Sequence, residues 1–238
     1  MDFNAPFFML HRDLPREGPG EPSDVAWAIA CAGLQSDARI CDAACGPAPD
    51  INALLQTAPD GTVDALDKVP HFVAAAAARN KGDIRVKVRQ GDMAELHGMY
   101  DFIWCAGAVY FLGVTEALGF WRRSLAPGGA IAFSQACWFL DAPSERARRA
   151  FADYPAMSDE AGVLARIEAG GYEVLGTRRL SDQAWENYYG PMAARIAKLR
   201  PTAELALEKV LDEGIEEAAT WRACRAEFGY LLCVVRPK

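Results

Sequence analysis

The stretch Ala38-Arg39-Ile40-Cys41-Asp42-Ala43-Ala44-Cys45-Gly46-Pro47-Ala48-Pro49-Asp50-Ile51 most constrains what this chain can fold into. It reads as a buried strand over residues 39–42 that breaks into a Gly/Pro-rich turn and then a short helix over 51–56. A parallel strand that ends on an acid, with a tight small-residue turn opening a helix, is how doubly wound sheets hold nucleotide-like ligands. The turn lets backbone N–H groups approach the ligand, and the helix N-terminus favours negative groups.

A second strand, residues 62–66, runs into Asp67, 21 residues past Gly46. That matches the roughly 20-residue spacing at which an acid reaches a pair of ribose hydroxyls. Strands are expected again over 84–88, 100–106, 130–135, 172–178 and 229–235, with helices over 69–79, 115–125, 144–153 and 158–169 between them. The near-continuous apolar run 100–106 suits a strand buried on both faces. At the N-terminus, residues 1–12 (Phe3, Phe7, Phe8, Met9, Leu10) suit a short helix packed on the body. A Pro/Gly loop over 14–22 follows, and Ser23 or Asp24 is expected to cap a helix over 25–34. Between the last two strands, residues 180–227 read as two helices split by Pro201. The second carries Leu207, Leu211, Ile215, Ala218 and Trp221 on one face, to be buried against the body or a second subunit.

Five segments carry a resemblance: Asp42-Ala43-Ala44-Cys45-Gly46-Pro47, Asp67, Gly91-Asp92-Met93, Tyr100-Asp101-Phe102-Ile103-Trp104 and Leu125-Ala126-Pro127-Gly128-Gly129. In order and spacing they resemble the class I S-adenosylmethionine-dependent methyltransferases, closely over residues 38–135 and more loosely beyond. The resemblance implies a doubly wound, Rossmann-like α/β sheet of seven strands, mostly parallel with the last antiparallel, and helices on both faces. It implies one methyltransferase domain over 1–238, with 1–34 as an N-terminal cap and 180–227 as a helical insertion. S-adenosylmethionine would then lie against Asp42, Ala44, Cys45 and Gly46, with Asp67 on the ribose and Lys68 beside it. Asp92 and Met93 would take the adenine, Cys105 the end of strand four, and Arg16 the methionine carboxylate, which suits a guanidinium fork. The chain departs from the family's acid-x-Gly-x-Gly-x-Gly loop at Ala44 and Ala48, where a Cβ crowds the backbone's approach to a ligand. Ala106 replaces a polar or acidic residue of relatives.

Methyl transfer from a sulfonium is an in-line displacement that needs the acceptor held at near-attack distance and water excluded. A dedicated base is needed only if the acceptor must lose a proton, so no residue is singled out as catalytic. Acceptor contacts are expected from aromatic side chains at the strand ends and at the start of the insertion: Tyr110, Trp138, Trp185, Tyr188 and Tyr189.

Composition narrows the partners. Hydrophobic residues make up 51% of the chain and charged ones 24%, enough for a substantial core. A net charge of −7 with scattered Arg pairs argues against nucleic acid. Seven Cys without a Cys-x-x-Cys read as buried, reduced thiols in a cytoplasmic protein. The three His do not cluster with them, so no metal is expected, and no apolar run reaches the roughly 18 residues of a membrane span. The expected partner is a small-molecule acceptor, with a homodimer left open. Two alternatives stand beside methyl transfer. A nicotinamide-dependent oxidoreductase would need Gly where Ala48 and Pro49 stand. A non-catalytic binder of S-adenosylmethionine or S-adenosylhomocysteine on the same fold would account for Ala44, Ala48 and Ala106.

Overall fold

The computed structural model describes residues 5–238; the first four, Phe3 of the expected first helix among them, lie outside the described residues. Seven strands form one sheet: β1 (Arg39–Ala43), β2 (Thr62–Asp67), β3 (Val86–Gln90), β4 (Tyr100–Cys105), β5 (Leu125–Trp138), β6 (Tyr172–Arg179) and β7 (Phe228–Pro237). Their order is β3-β2-β1-β4-β5-β7-β6, and only β7 runs antiparallel to its neighbours. Helices α2 (Pro22–Ala32), α3 (Ile51–Thr57) and α4 (Pro70–Arg79) contribute to the apolar cluster of one face. Helices α5 (Val114–Trp121) and α7 (Glu160–Ala169) pack on the cluster of the other. This is the expected architecture: parallel strands need both faces covered, and crossover helices cover them.

A third, aromatic-rich cluster sits over the carboxyl ends of the strands. It is built by α1 (Pro6–His11), α6 (Glu145–Ala150), α8 (Asp182–Leu199) and α9 (Leu205–Cys224). Helix α9 buries Leu207, Leu211, Gly214, Ala218 and Trp221 within the chain. Ile215, expected on that face, is 48% exposed, because steps of four, three, four and three follow a 3.6-residue period and two successive fours drift off it.

Other boundaries differ for local reasons. Helix α2 is capped by Glu21, not by Ser23 or Asp24: Pro22 sets φ at the first helical position, and Glu21 and Asp24 exchange side-chain-to-backbone bonds. Strand β3 starts two residues late because Asp83 holds a turn, its Oδ1 accepting from Arg85 N at 3.0 Å, and Ile84 is left 95% exposed. Strand β5 starts early, at Leu125, and absorbs Pro127-Gly128-Gly129 as an irregularity in its pairing with β4. A Cβ at Gly129 would stand 3.0–3.2 Å from three backbone carbonyl oxygens, so a larger residue there would crowd the backbone and glycine is favoured.

Between β3 and β4 residues 91–99 form no helix. Met93 and Leu96 plug the core instead, and the buried Trp121 indole donates to Met93 O at 2.7 Å. Trp121→Phe should leave that carbonyl unpartnered and cost about 1–3 kcal/mol. Chemical denaturation checks this; an unchanged midpoint would remove the indole as the anchor of the segment.

Candidate active site

The turn after β1 carries three residues in the left-handed region: Ala44 (φ 58°), Gly46 (φ 55°) and Ala48 (φ 57°). Alternating left-handed residues bend the chain so that successive N–H groups point to one side. Glycine is the unstrained residue at all three positions, and this chain keeps only the middle one. Cys45 N donates to Leu66 O (2.9 Å) and Ala48 N to Cys45 O (2.8 Å). Asp67 fixes the turn from the end of β2: its Oδ2 accepts from Gly46 N (2.9 Å) and its Oδ1 from Val69 N (2.8 Å).

The turn forms one wall of a cavity of about 880 Å³ over the carboxyl ends of the strands. Of the residues expected to hold a cofactor, Arg16, Asp42, Ala44, Cys45, Gly46, Asp67, Lys68, Asp92 and Met93 line this cavity. Cys105 does not: it is fully buried in β4 with its side chain in the core, and Ala106 and Gly107 after it line the cavity instead. Of the residues expected to meet an acceptor, Tyr110, Trp185, Tyr188 and Tyr189 line the same cavity. Trp138 stands behind the wall, edge-on to Phe151 and Phe228, which do line it.

Asp42 is buried, and its Oδ2 has no hydrogen-bond partner. Burial first, then the charges of Asp50 and Asp67, push its carboxyl well above the usual range. Burial likewise raises Asp67, against the backbone N–H groups that lower it. Arg16 is buried with Nη2 3.4 Å from Asp50 Oδ1, while Asp50 Oδ2 accepts from the Trp104 indole at 3.1 Å. Asp92 serves two purposes: its Oδ1 accepts from Ala94 N (2.9 Å), turning the chain, and its Oδ2 meets Lys68 Nζ (3.1 Å) at the rim. Its carboxyl is held low by the Ala94 bond, then by Lys68.

Sequence reasoning missed Asp50, His11, Glu17, Glu217 and Tyr230, all on the cavity wall. Asp50 carried a signal, being an acid at the mouth of the turn before α3. Glu217 carried a fainter one, since it lies within one turn of Gly214, Ala218 and Trp221, the buried face of α9. No cluster of His, Cys, Asp or Glu among the described residues is arranged to hold a metal ion, and no helix among them is long and apolar enough to cross a membrane.

Residues 40–129 match the family model described as a methyltransferase domain. The chain has the class I methyltransferase fold, and residues 40–129 are similar to that domain. That domain family uses S-adenosylmethionine. A methyltransferase structure from Geobacter sulfurreducens, in complex with S-adenosylhomocysteine, aligns with a TM-score of 0.82 and 21% identity, covering 100% of this chain and 99% of that one. Another from Thiobacillus denitrificans, also with S-adenosylhomocysteine, gives 0.82 and 21%, covering 100% of both chains. YjhP from E. coli gives 0.81 and 18%, covering 98% of this chain and 99% of that one. At these identities the likeness establishes the fold. No curated protein matches the sequence.

The two alanines separate in energy. A left-handed non-glycine residue costs roughly 1–2 kcal/mol, and a buried methyl contributes roughly 0.8 kcal/mol. Ala44 is only half-buried, so Ala44→Gly should stabilise the protein by about 1 kcal/mol. Ala48 is 1% exposed, so Ala48→Gly gives up its burial and should be close to neutral. Urea denaturation of the two variants tests the ranking; the reverse order would contradict it.

Proposed function

We propose that this protein transfers a methyl group from S-adenosylmethionine to a small-molecule acceptor. The observation that carries the reading is the left-handed turn held by Asp67, opening on a cavity whose far side is aromatic. The residues present fit the cofactor. A buried, unpartnered carboxylate oxygen on Asp42 suits the cationic methionine end, and Asp67 keeps acceptor capacity for ribose hydroxyls beyond its two backbone bonds. Arg16, placed by Asp50, would take the methionine carboxylate, and Asp92 and Met93 the adenine.

Bound S-adenosylmethionine supplies an electrophilic methyl on a positively charged sulfur. The chain's own work is then positional. The turn and Asp67 fix one partner, while Tyr110, Trp185, Tyr188 and Tyr189 close over the other and exclude water. On this reading the segment 180–227 serves as the acceptor wall of the domain, and 1–34 supplies Arg16 and the strap beneath it.

The non-catalytic reading draws on Ala44, which lines the cavity where the family has glycine; Ala48, by contrast, is buried in the core against α2 and α3 and does not line the cavity. Calorimetry with S-adenosylmethionine and with NAD, followed by co-crystallisation with S-adenosylhomocysteine and a metabolite-mixture screen for methyl transfer, decides between the readings. Cofactor binding without transfer to any acceptor would favour the binder.

Asp67→Ala should weaken cofactor binding by about 1.5–3 kcal/mol, the range for hydrogen bonds to a charged group; unchanged affinity in a folded variant would sink the assignment. Asp42→Asn should act in opposite senses on stability and binding. An acid raised by burial contributes fully to stability below its unfolded value near about 4, and loses that contribution as pH rises through the folded value. The gain in Tm of Asp42→Asn over the parent should therefore grow from about pH 5 to about pH 8, while its affinity for S-adenosylmethionine falls. A variant less stable than the parent at the higher pH would contradict this account of Asp42.

A further inference from the structure

The acceptor end of the cavity has a chemistry of its own. The side chain of Glu217 is exposed and lines the cavity. Its Oε1 accepts from Tyr189 OH at 3.0 Å, and no ion pair reaches it among the described residues. Around it stand aromatic rings from three parts of the chain. Tyr188 and Tyr189 have ring centroids 5.1 Å apart, Trp185 packs on Tyr230 at 5.2 Å, and Tyr110 comes from the turn after β4. Burial raises the phenols of Tyr110, Tyr188, Tyr189 and Tyr230, and the charge of Glu217 adds to that in each case. One carboxylate therefore sits within electrostatic reach of four tyrosines in one compartment.

A second acid points the same way. Glu17 also lines the cavity; its Oε2 is bonded to His11 Nδ1 at 2.7 Å, and its Oε1 is buried without a partner. The cationic side chains of the wall are engaged elsewhere, Arg16 with Asp50 and Lys68 with Asp92. Aromatic faces present negative quadrupole to a ligand, and a carboxylate among them adds full charge. A neutral acceptor would leave this carboxylate desolvated and unpaired, which is costly. A carboxylate or phosphate acceptor would meet repulsion from both acids.

Resting on the methyltransferase reading for the word acceptor, we propose that this compartment recognises an ammonium group: the acceptor is a small, largely apolar molecule that carries a basic nitrogen, seated on Glu217 and the tyrosine faces. Ring contacts supply affinity for the apolar body, and Glu217 supplies selection for charge. Tyr189, through its bond to Glu217, orients the carboxylate without needing to touch the ligand.

Benzyltrimethylammonium and its uncharged isostere neopentylbenzene are the probes, titrated by fluorescence into protein saturated with S-adenosylhomocysteine. The ammonium should bind at least about tenfold more tightly than the isostere. Glu217→Gln, which keeps an acceptor for Tyr189, should weaken the ammonium about tenfold or more while leaving the isostere and S-adenosylhomocysteine unchanged. Tyr188→Phe should retain ammonium binding and Tyr188→Leu should lose it, a comparison that holds even if Glu217→Gln fails to fold. Equal affinity for the two probes, no ammonium binding to protein that does bind S-adenosylhomocysteine, or indifference to all three substitutions would overturn the proposal. Failure of S-adenosylhomocysteine to bind would instead count against the methyltransferase reading, and the same titration on the free protein would still decide the ammonium question.

Discussion

Both oxygens of Asp67 accept from backbone N–H groups at the ends of the adjacent strands β1 and β2, Gly46 in the turn after β1 and Val69 just before α4. This one carboxylate ties the ends of two parallel strands together and holds open a turn that the backbone would not choose unaided. Three left-handed residues within five positions, two of them alanine, carry strain that only surrounding contacts can hold in place. The contacts are there: Ala48 is buried in the α2–α3 face, and Cys45 N donates to Leu66 O near the end of β2. The shape of the ligand side of the cavity depends on this arrangement.

The other side depends on segments distant in sequence. The N-terminal strap crosses the cavity and is pinned to the insertion: Gly20 N donates to Ala184 O at 3.0 Å, Asn187 Nδ2 to Gly20 O at 3.1 Å, and Arg195 reaches both Asp13 (2.8 Å) and Met9 O (3.0 Å). Helix α2 beneath it is fixed by Arg178, which pairs with the buried Asp24 and stacks its guanidinium over Trp27. Strap and insertion thus form one body over the strand ends, with Trp185 stacked on Trp221 at 5.2 Å as its internal spine. Such packing is rigid enough to shape a pocket.

The sheet was legible in the sequence because each of its signals is local. Strand β1 and its turn, Asp67 at the end of β2, and the apolar run of β4 each state their conformation within a dozen residues. The turn between β4 and β5 was misread, since Pro127-Gly128-Gly129 looks like a break but is absorbed into a strand by pairing with β4. Cys105 was placed at the cavity for being at a strand end, and alternation along the strand turns its side chain into the core instead. Trp138 lost its expected place for a related reason: Phe151 of the segment after α6 and Phe228 at the start of β7 stand between it and the cavity.

The aromatic end of the cavity was the least legible part, and the reason is combinatorial. Its aromatic residues were recognisable singly, but Glu217 lies on a helix rich in surface acids, and only the packing of α9 on α1, α6 and α8 turns this one inward. Glu216, one residue earlier, faces out to Arg146 at 2.9 Å and is held low by Thr220 and that arginine, while burial raises Glu217. A rotation of about 100° along one helix thus separates an ordinary surface ion pair from a carboxylate on the wall of an aromatic-lined cavity. Hydrophobic periodicity locates the buried stripe of such a helix but says nothing about a cavity beneath its edge. What sets Glu217 apart is its place on the cavity wall, where its hydrogen-bond partner among the described residues is the Tyr189 hydroxyl.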